Sequence, residues 1–184
     1  MPRIPALENR EEMTDAQKRA YDAIQATPRG GVRGPFTLLL HSPDIAEHTS
    51  NLGTYIRFHS RLPLPVRIIA ALTTARSYNC HFEFAANANH AKRAGISEEV
   101  VAAIRDRRAP EGLNEEEALA FQAGTELLSG KYRLTPKTFD AAMERYGVQG
   151  IVELVATFGY YSHLACVLNA FEMEPLPDHK PLPL

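Results

Sequence analysis

The 184-residue chain has few cysteines, little net charge and no apolar run at its N-terminus, and each shortage excludes a class of protein. Two cysteines, Cys80 and Cys166, are too few and too far apart for a disulfide framework or a zinc-ligand pattern, and they suit a reducing cytoplasm. A formal net charge of −2 gives no electrostatic case for nucleic acid or an anionic membrane as partner. The start, Met-Pro-Arg-Ile-Pro-Ala, lacks the apolar core of a secretory signal, so a cytoplasmic protein is expected. No alternating, β-branched run is long enough for a convincing sheet. Internal repeats and low-complexity tracts are missing too. The glycines between Pro28 and Pro35 lack the Lys-Ser/Thr of a phosphate-binding loop, which leaves a flexible connector.

What is present points to helices. Apolar residues make up 45% and charged residues 23%, the balance of a globular protein, and a single domain over residues 1–184 is expected. Thr14-Asp15 opens a helix to about Ala26, and Ser42-Pro43 opens another to about Ser60. Apolar spacing from Val66 continues to Tyr78. A further helix ends at Gly95, and Ser97 starts a short one. Asn114 with Glu117 has the form of a capping box, and Thr135-Pro136 opens a helix to about Tyr146. Gly147 to Gly150 then turn into an apolar helix, Ile151 to Phe171. Glu153, His163 and Asn169 interrupt it, so a buried helix of a bundle or an oligomer is expected, not a membrane span. The proline-rich tail, residues 174–184, reads as extended chain lying over the surface or a neighbouring subunit.

The segment Cys80-His81-Phe82-Glu83-Phe84-Ala85-Ala86-Asn87-Ala88-Asn89-His90 carries the most chemistry. At 100° per residue, Cys80, Phe84, Asn87, Ala91 and Ala94 fall along one buried line, with Asn89, Lys92 and Arg93 opposite. Glu83 and His90 share one shoulder of that face. Buried polar groups of several kinds need partners or a purpose. A helix with satisfied polar residues and an inert thiol is the plain alternative.

The order of several weak motifs resembles one family. Leu62-Pro63, Cys80-x-x-Glu83-Phe84, and Ala91-x-x-Ala94-Gly95-Ile96-Ser97-Glu98-Glu99-Val100 with Ile104 are similar to the carboxymuconolactone decarboxylase family, related to alkylhydroperoxidase D. Gly34-Pro35-Phe36 and Leu39-Leu40-His41-Ser42-Pro43 resemble its N-terminal part. Tyr146-Gly147-Val148-Gln149-Gly150, Val152-Glu153-Leu154, Gly159-Tyr160-Tyr161 and Leu168-Asn169-Ala170-Phe171-Glu172 extend the likeness to about residue 178. The resemblance implies an all-α, alkylhydroperoxidase D-like bundle of seven or eight helices. It implies tight homo-oligomers (dimer, trimer or hexamer) and a pocket beside the helix carrying Cys80 and Glu83.

Departures from the peroxidase branch are specific. Against its C-x-x-C pair, following His and upstream Glu, this chain has Glu83 at the second Cys position, Asn87 at the His position and Ile68 at the Glu position. A thiol peroxidase needs an attacking thiolate and a resolving thiol, and Cys80 lacks a local partner for either task. Cofactor-free decarboxylation of a small cyclic acid or lactone from aromatic degradation needs only a carbonyl to take the electron pair and an acid to deliver a proton.

In that reading Glu83 carries the proton, with Cys80, His90 and His163 as further catalytic candidates. Asn87, His81, Phe84, Tyr160 and Tyr161 are the substrate-binding candidates. Arg57, His59 and Arg76 are further candidates to bind a substrate carboxylate, with solvated or subunit-paired arginines as the plain alternative. No metal is expected, since His pairs at i, i+4 and Cys pairs are lacking. Two alternatives stand beside the lyase: a thiol-dependent peroxidase using Cys80, with Cys166 as a distant partner, and a degenerate member that binds a ligand or serves as a scaffold.

Overall fold

The computed structural model describes residues 2–175 and 182–183. Among them there are helices and turns but no strand. A short 3₁₀ turn, Arg10–Glu12, precedes eight α-helices: α1 (Asp15–Gln25), α2 (Pro35–Leu39), α3 (Pro43–Thr54), α4 (Leu64–Ser77), α5 (His81–Arg93), α6 (Glu98–Arg105), α7 (Glu115–Leu128) and α8 (Pro136–Ala170). Between α3 and α4 the chain winds through a π-turn, Tyr55–His59, closed by Ser60 N–H donating to Tyr55 O at 2.9 Å.

Local chemistry sets most boundaries. Thr14–Gln17 and Asn114–Glu117 form reciprocal capping boxes, and the Ser97 and Thr135 hydroxyls accept from the third residue of their helices. Each such cap is worth about 1 kcal/mol. Ser42 does not cap α3 with its side chain, contrary to the sequence reading; Pro43 in the first turn leaves one fewer donor to satisfy. The short helix α2 was not evident in the sequence either: its Phe36, Leu38 and Leu39 are all buried, so it lacks the polar face that marks a surface helix.

α8 is broken at Gly147, with φ 67° and ψ 177°, a conformation that strains any residue with a side chain. The break falls where the sequence places a turn. Beyond it α8 is apolar enough over enough length to cross a membrane, yet 56% of its most apolar window is buried inside the fold.

α4 is the central element. Val66 and Ile68 through Arg76 are all buried, and α5, α7 and α8 pack around it. A helix apolar on every side is stable only when enclosed in this way. Leu72, Leu154 and Phe158 anchor this core, each contributing about 1.5–3 kcal/mol by leaving water. A second core joins α1, α2 and α3 to Tyr160, Tyr161 and Leu164 of α8. A cavity opens between these two cores.

Most of the tail expected to be extended lies outside the described residues. Leu182 is buried in the main core, its N–H donating to His81 Nδ1 at 3.2 Å, while Pro183 O accepts from Arg76 Nη2 at 2.8 Å.

Candidate functional site

A cavity of about 680 Å³ is walled by the 28–36 segment, the π-turn, the first turns of α4, α5, and Tyr160, Tyr161 and Leu164 of α8. That volume suits a small organic ligand. Phe36, Ile56, Ile68 and Phe82 supply apolar wall. Against it stand five arginines, Arg29, Arg33, Arg57, Arg67 and Arg93, and one carboxylate, Glu83.

Glu83 lies in the first turn of α5 and is buried. One turn on, Asn87 Nδ2 donates to Glu83 Oε2 at 2.9 Å and to the Glu83 carbonyl at 2.9 Å. An amide at i+4 can reach back in this way because the two side chains share a helix face. Burial pushes the Glu83 carboxyl up; the Asn87 bond and the charges of Arg57 and Arg29 pull it down, and it settles at about 7. A carboxyl balanced there exchanges a proton at neutral pH. His90, also lining the cavity, is held below the ordinary histidine value by burial and by Arg57 and Arg93, so it is a neutral imidazole at pH 7. Burial keeps the Tyr160 and Tyr161 phenols protonated.

Two of the arginines are held in place. Arg29 lies 4.2 Å over the Phe36 ring, and its Nη2 donates to Tyr160 Oη at 3.3 Å. Arg67 Nη1 donates to Ile56 O at 3.0 Å and also to Arg57 O. The Nε atoms of Arg29 and Arg67 are buried without a hydrogen-bond partner, a costly state. Gly53 makes room for the Arg29–Tyr160 pair: a Cβ there would come within 2.2 Å of Tyr160 Oη and 2.8 Å of Arg29 Nη2.

Of the residues singled out in the sequence, the cavity gathers Glu83, Asn87, His90, Tyr160, Tyr161 and Arg57. It does not gather the others. Cys80 is buried against Ala165 and Leu168, away from the lining, and burial pushes its thiol up to about 12. His81 turns to the tail through Leu182, and Phe84 belongs to the main core. His163 is exposed, its Nε2 3.3 Å from Thr49 Oγ1, so it does not replace the imidazole missing at position 87. Arg76 is tied to Arg105 O, Asn79 and Pro183 O at a separate, smaller cavity. His59 is exposed in the π-turn.

The sequence reading missed Arg29, Arg33, Arg67 and Arg93. Arg67 left a signal, a single charge inside the otherwise apolar run Val66 to Leu72. Arg29 and Arg33 sit in a loop whose path only the fold determines. Ile68, at the position of the peroxidases' glutamate, is an apolar part of the wall. Among the described residues, no group of three or more His, Cys, Asp and Glu is placed to hold a metal ion.

Residues 43–126 match the Carboxymuconolactone decarboxylase family. Solved structures share the fold at low identity. A peroxidase-related protein with an alkylhydroperoxidase D core from Ralstonia eutropha aligns with a TM-score of 0.77 at 12% identity, covering 96% of this chain and 93% of its own. A peroxidase-related protein from Silicibacter aligns at 0.76 and 10% identity, covering 97% and 93%. A protein of unknown function from Agrobacterium tumefaciens, described as an alkylhydroperoxidase D-type antioxidant defence candidate, aligns at 0.66 and 14%, covering 75% and 94%. No curated protein matches the sequence significantly.

Proposed function

We propose that this chain, which belongs to the carboxymuconolactone decarboxylase family and has the alkylhydroperoxidase D-like fold, is a lyase for a small cyclic carboxylic acid or lactone. Glu83 is the group that moves the proton. One observation carries the reading: Glu83 is the single carboxylate among the described lining residues, in a cavity otherwise furnished with arginines and aromatic rings. Arginines lining a cavity recognise carboxylates or enolates, not neutral peroxides.

The chemistry needs few parts. The arginines hold the substrate's acidic groups. As the C–C bond to the departing carboxylate breaks, CO₂ leaves and the electron pair moves onto an adjacent carbonyl, forming an enolate. Arg29 and the neutral Tyr160 hydroxyl are donors for that oxygen. Asn87 occupies Glu83 Oε2, so the proton resides on Oε1 and passes from there to the substrate carbon. Solvent in the cavity returns a proton to Glu83.

Some structural neighbours are described as peroxidase-related. Cys80 argues against the same chemistry here, because a buried thiol pushed up to about 12 supplies almost no thiolate at neutral pH. A panel of cyclic carboxylic acids and lactones, followed by CO₂ release, tests the proposal. Turnover of one member supports it. Saturable binding of anions without turnover would leave a ligand-binding protein, and Cys80-dependent peroxide turnover with a dithiol would replace the lyase by a peroxidase.

A further inference from the structure

We infer that Glu153, which does not line the cavity, is the positioning residue that sets where two of the cavity's arginines, Arg57 and Arg67, stand. Its side chain is buried and accepts four hydrogen bonds: from Ser60 Oγ at 2.6 Å, Tyr55 Oη at 2.7 Å, Gln149 Nε2 at 2.7 Å and Arg61 N at 2.8 Å. Tyr55 opens the π-turn, and Ser60 and Arg61 follow it directly. Glu153 therefore clamps both ends of a five-residue turn to α8.

That turn supplies one wall of the cavity. It carries Arg57 as lining residue, and its Ile56 and Arg57 carbonyls accept from Arg67 Nη1. Two of the five arginines are thus indexed to a backbone segment whose register depends on a single carboxylate. The clamp also reaches the opposite wall. Tyr160 and Tyr161 lie two turns further along the helix that bears Glu153. Moving the carboxylate shifts the arginine wall relative to the tyrosine wall.

The chemistry suits permanence. Burial opposes ionisation of Glu153, but the bonds from Ser60, Tyr55, Gln149 and Arg61 outweigh it and hold the carboxyl at about 2, so it stays a full acceptor across physiological pH. A π-turn is an insertion that a regular helix would expel, and it persists only where its surroundings over-determine it. Four donors converging on one buried acceptor are such surroundings.

The test has one arm free of any ligand. Glu153→Gln keeps the shape but replaces one acceptor oxygen by a donor. Phenylglyoxal labelling, mapped residue by residue by mass spectrometry well below each variant's melting temperature, reads how firmly each guanidinium is held. Arg67 and Arg57 should label about tenfold faster in Glu153→Gln, the equivalent of one charge-assisted hydrogen bond, with Arg93 and Arg33 unchanged. Equal acceleration at all four arginines, or none at Arg67, overturns the inference. Should Glu153→Gln fail to fold, Tyr55→Phe and Ser60→Ala each remove one donor and should give the same selective pattern more weakly.

The second arm rests on the anion-binding reading and uses benzoate as probe, followed by calorimetry. Glu153→Gln should weaken benzoate about tenfold, and Arg57→Ala should then cost much less than it does in the parent, because the two act through one another. Losses that simply multiply would overturn the coupling. A parent protein that ignores benzoate, together with selective labelling of Arg67 and Arg57 in the variant, would remove the anion reading and leave the positioning role standing.

Discussion

Asn87 donates one amide group to both the side chain and the main chain of Glu83, each at 2.9 Å. Asn87 thus acts on a carboxylate one turn back along its own helix. It fixes the rotamer of Glu83, occupies one of its oxygens and lowers the cost of ionising it without taking its proton. Each consequence can be measured.

Glu83→Gln should lower turnover of the true substrate by about 10²- to 10⁴-fold, the usual range for a general acid–base group. The fold should survive, because the amide keeps the shape and can still accept from Asn87. His90→Asn should reduce the rate less and shift its pH profile. Turnover and melting temperature measured on the same preparations separate this from a structural role. An unchanged rate in Glu83→Gln would remove the residue from the chemistry.

The same carboxyl links stability to pH. Its pKa is raised on folding, to about 7, so its contribution is complete below the unfolded value near 4 and is lost as pH rises through about 7. The melting temperature of Glu83→Gln relative to the parent should therefore climb between about pH 4 and pH 7 and level off above. For a chain of this size each 1 kcal/mol moves it by about 2–4 °C. A difference independent of pH would show that Glu83 ionises as freely in the fold as in the unfolded chain.

Cys80 should be silent. Iodoacetamide at pH 7 should label the exposed Cys166 in the native protein and reach Cys80 only after denaturation. Cys80→Ser should keep lyase turnover. Rapid native labelling of Cys80 would contradict its buried position.

Gly53→Ala sets two effects against each other. Helix propensity alone favours alanine by about 1 kcal/mol, but the added Cβ would meet Tyr160 Oη at 2.2 Å and Arg29 Nη2 at 2.8 Å. Tyr160 is buried on helix α8 and cannot retreat freely, so the clash should win. The variant is expected to melt lower and to bind benzoate more weakly, both readable in one calorimetric series. A stabilised variant with parental affinity would mean that the Arg29–Tyr160 pair is not held where the structure places it.

We propose that the chain forms a homo-oligomer through the outer face of α8, where Val148, Val152 and Val155 are exposed one turn apart, with the exposed Tyr55 bonded to Glu153 of the same helix. A second copy of the same apolar row is its natural cover. Sedimentation velocity should give a multiple of 20.4 kDa for the parent. Val152→Glu should shift the distribution toward the single-chain mass. A parent protein monomeric at micromolar concentration would end the proposal.

Periodicity, caps and breakers determined most of the helices, the wholly buried α2 excepted. Val66 to Tyr78, the Asn114–Glu117 box and the turn at Gly147 are local patterns, and the backbone follows them because no distant contact overrules them. The family resemblance and the Glu83-bearing helix were equally legible, since both are statements about order along one segment. The composition of the cavity was not. Arg29 and Arg33 come from a loop, Arg57 from a π-turn that reads in sequence as continuous helix, and Arg67 from a helix whose charge appears only as an interruption. Cys80 and Glu83 are three residues apart, yet the first is sealed against Ala165 and Leu168 while the second meets the cavity. The packing of α8 across α5 separates them. Which polar residues share a cavity depends on how helices cross, and crossing is decided by side chains as distant in the chain as Cys80 and Leu168.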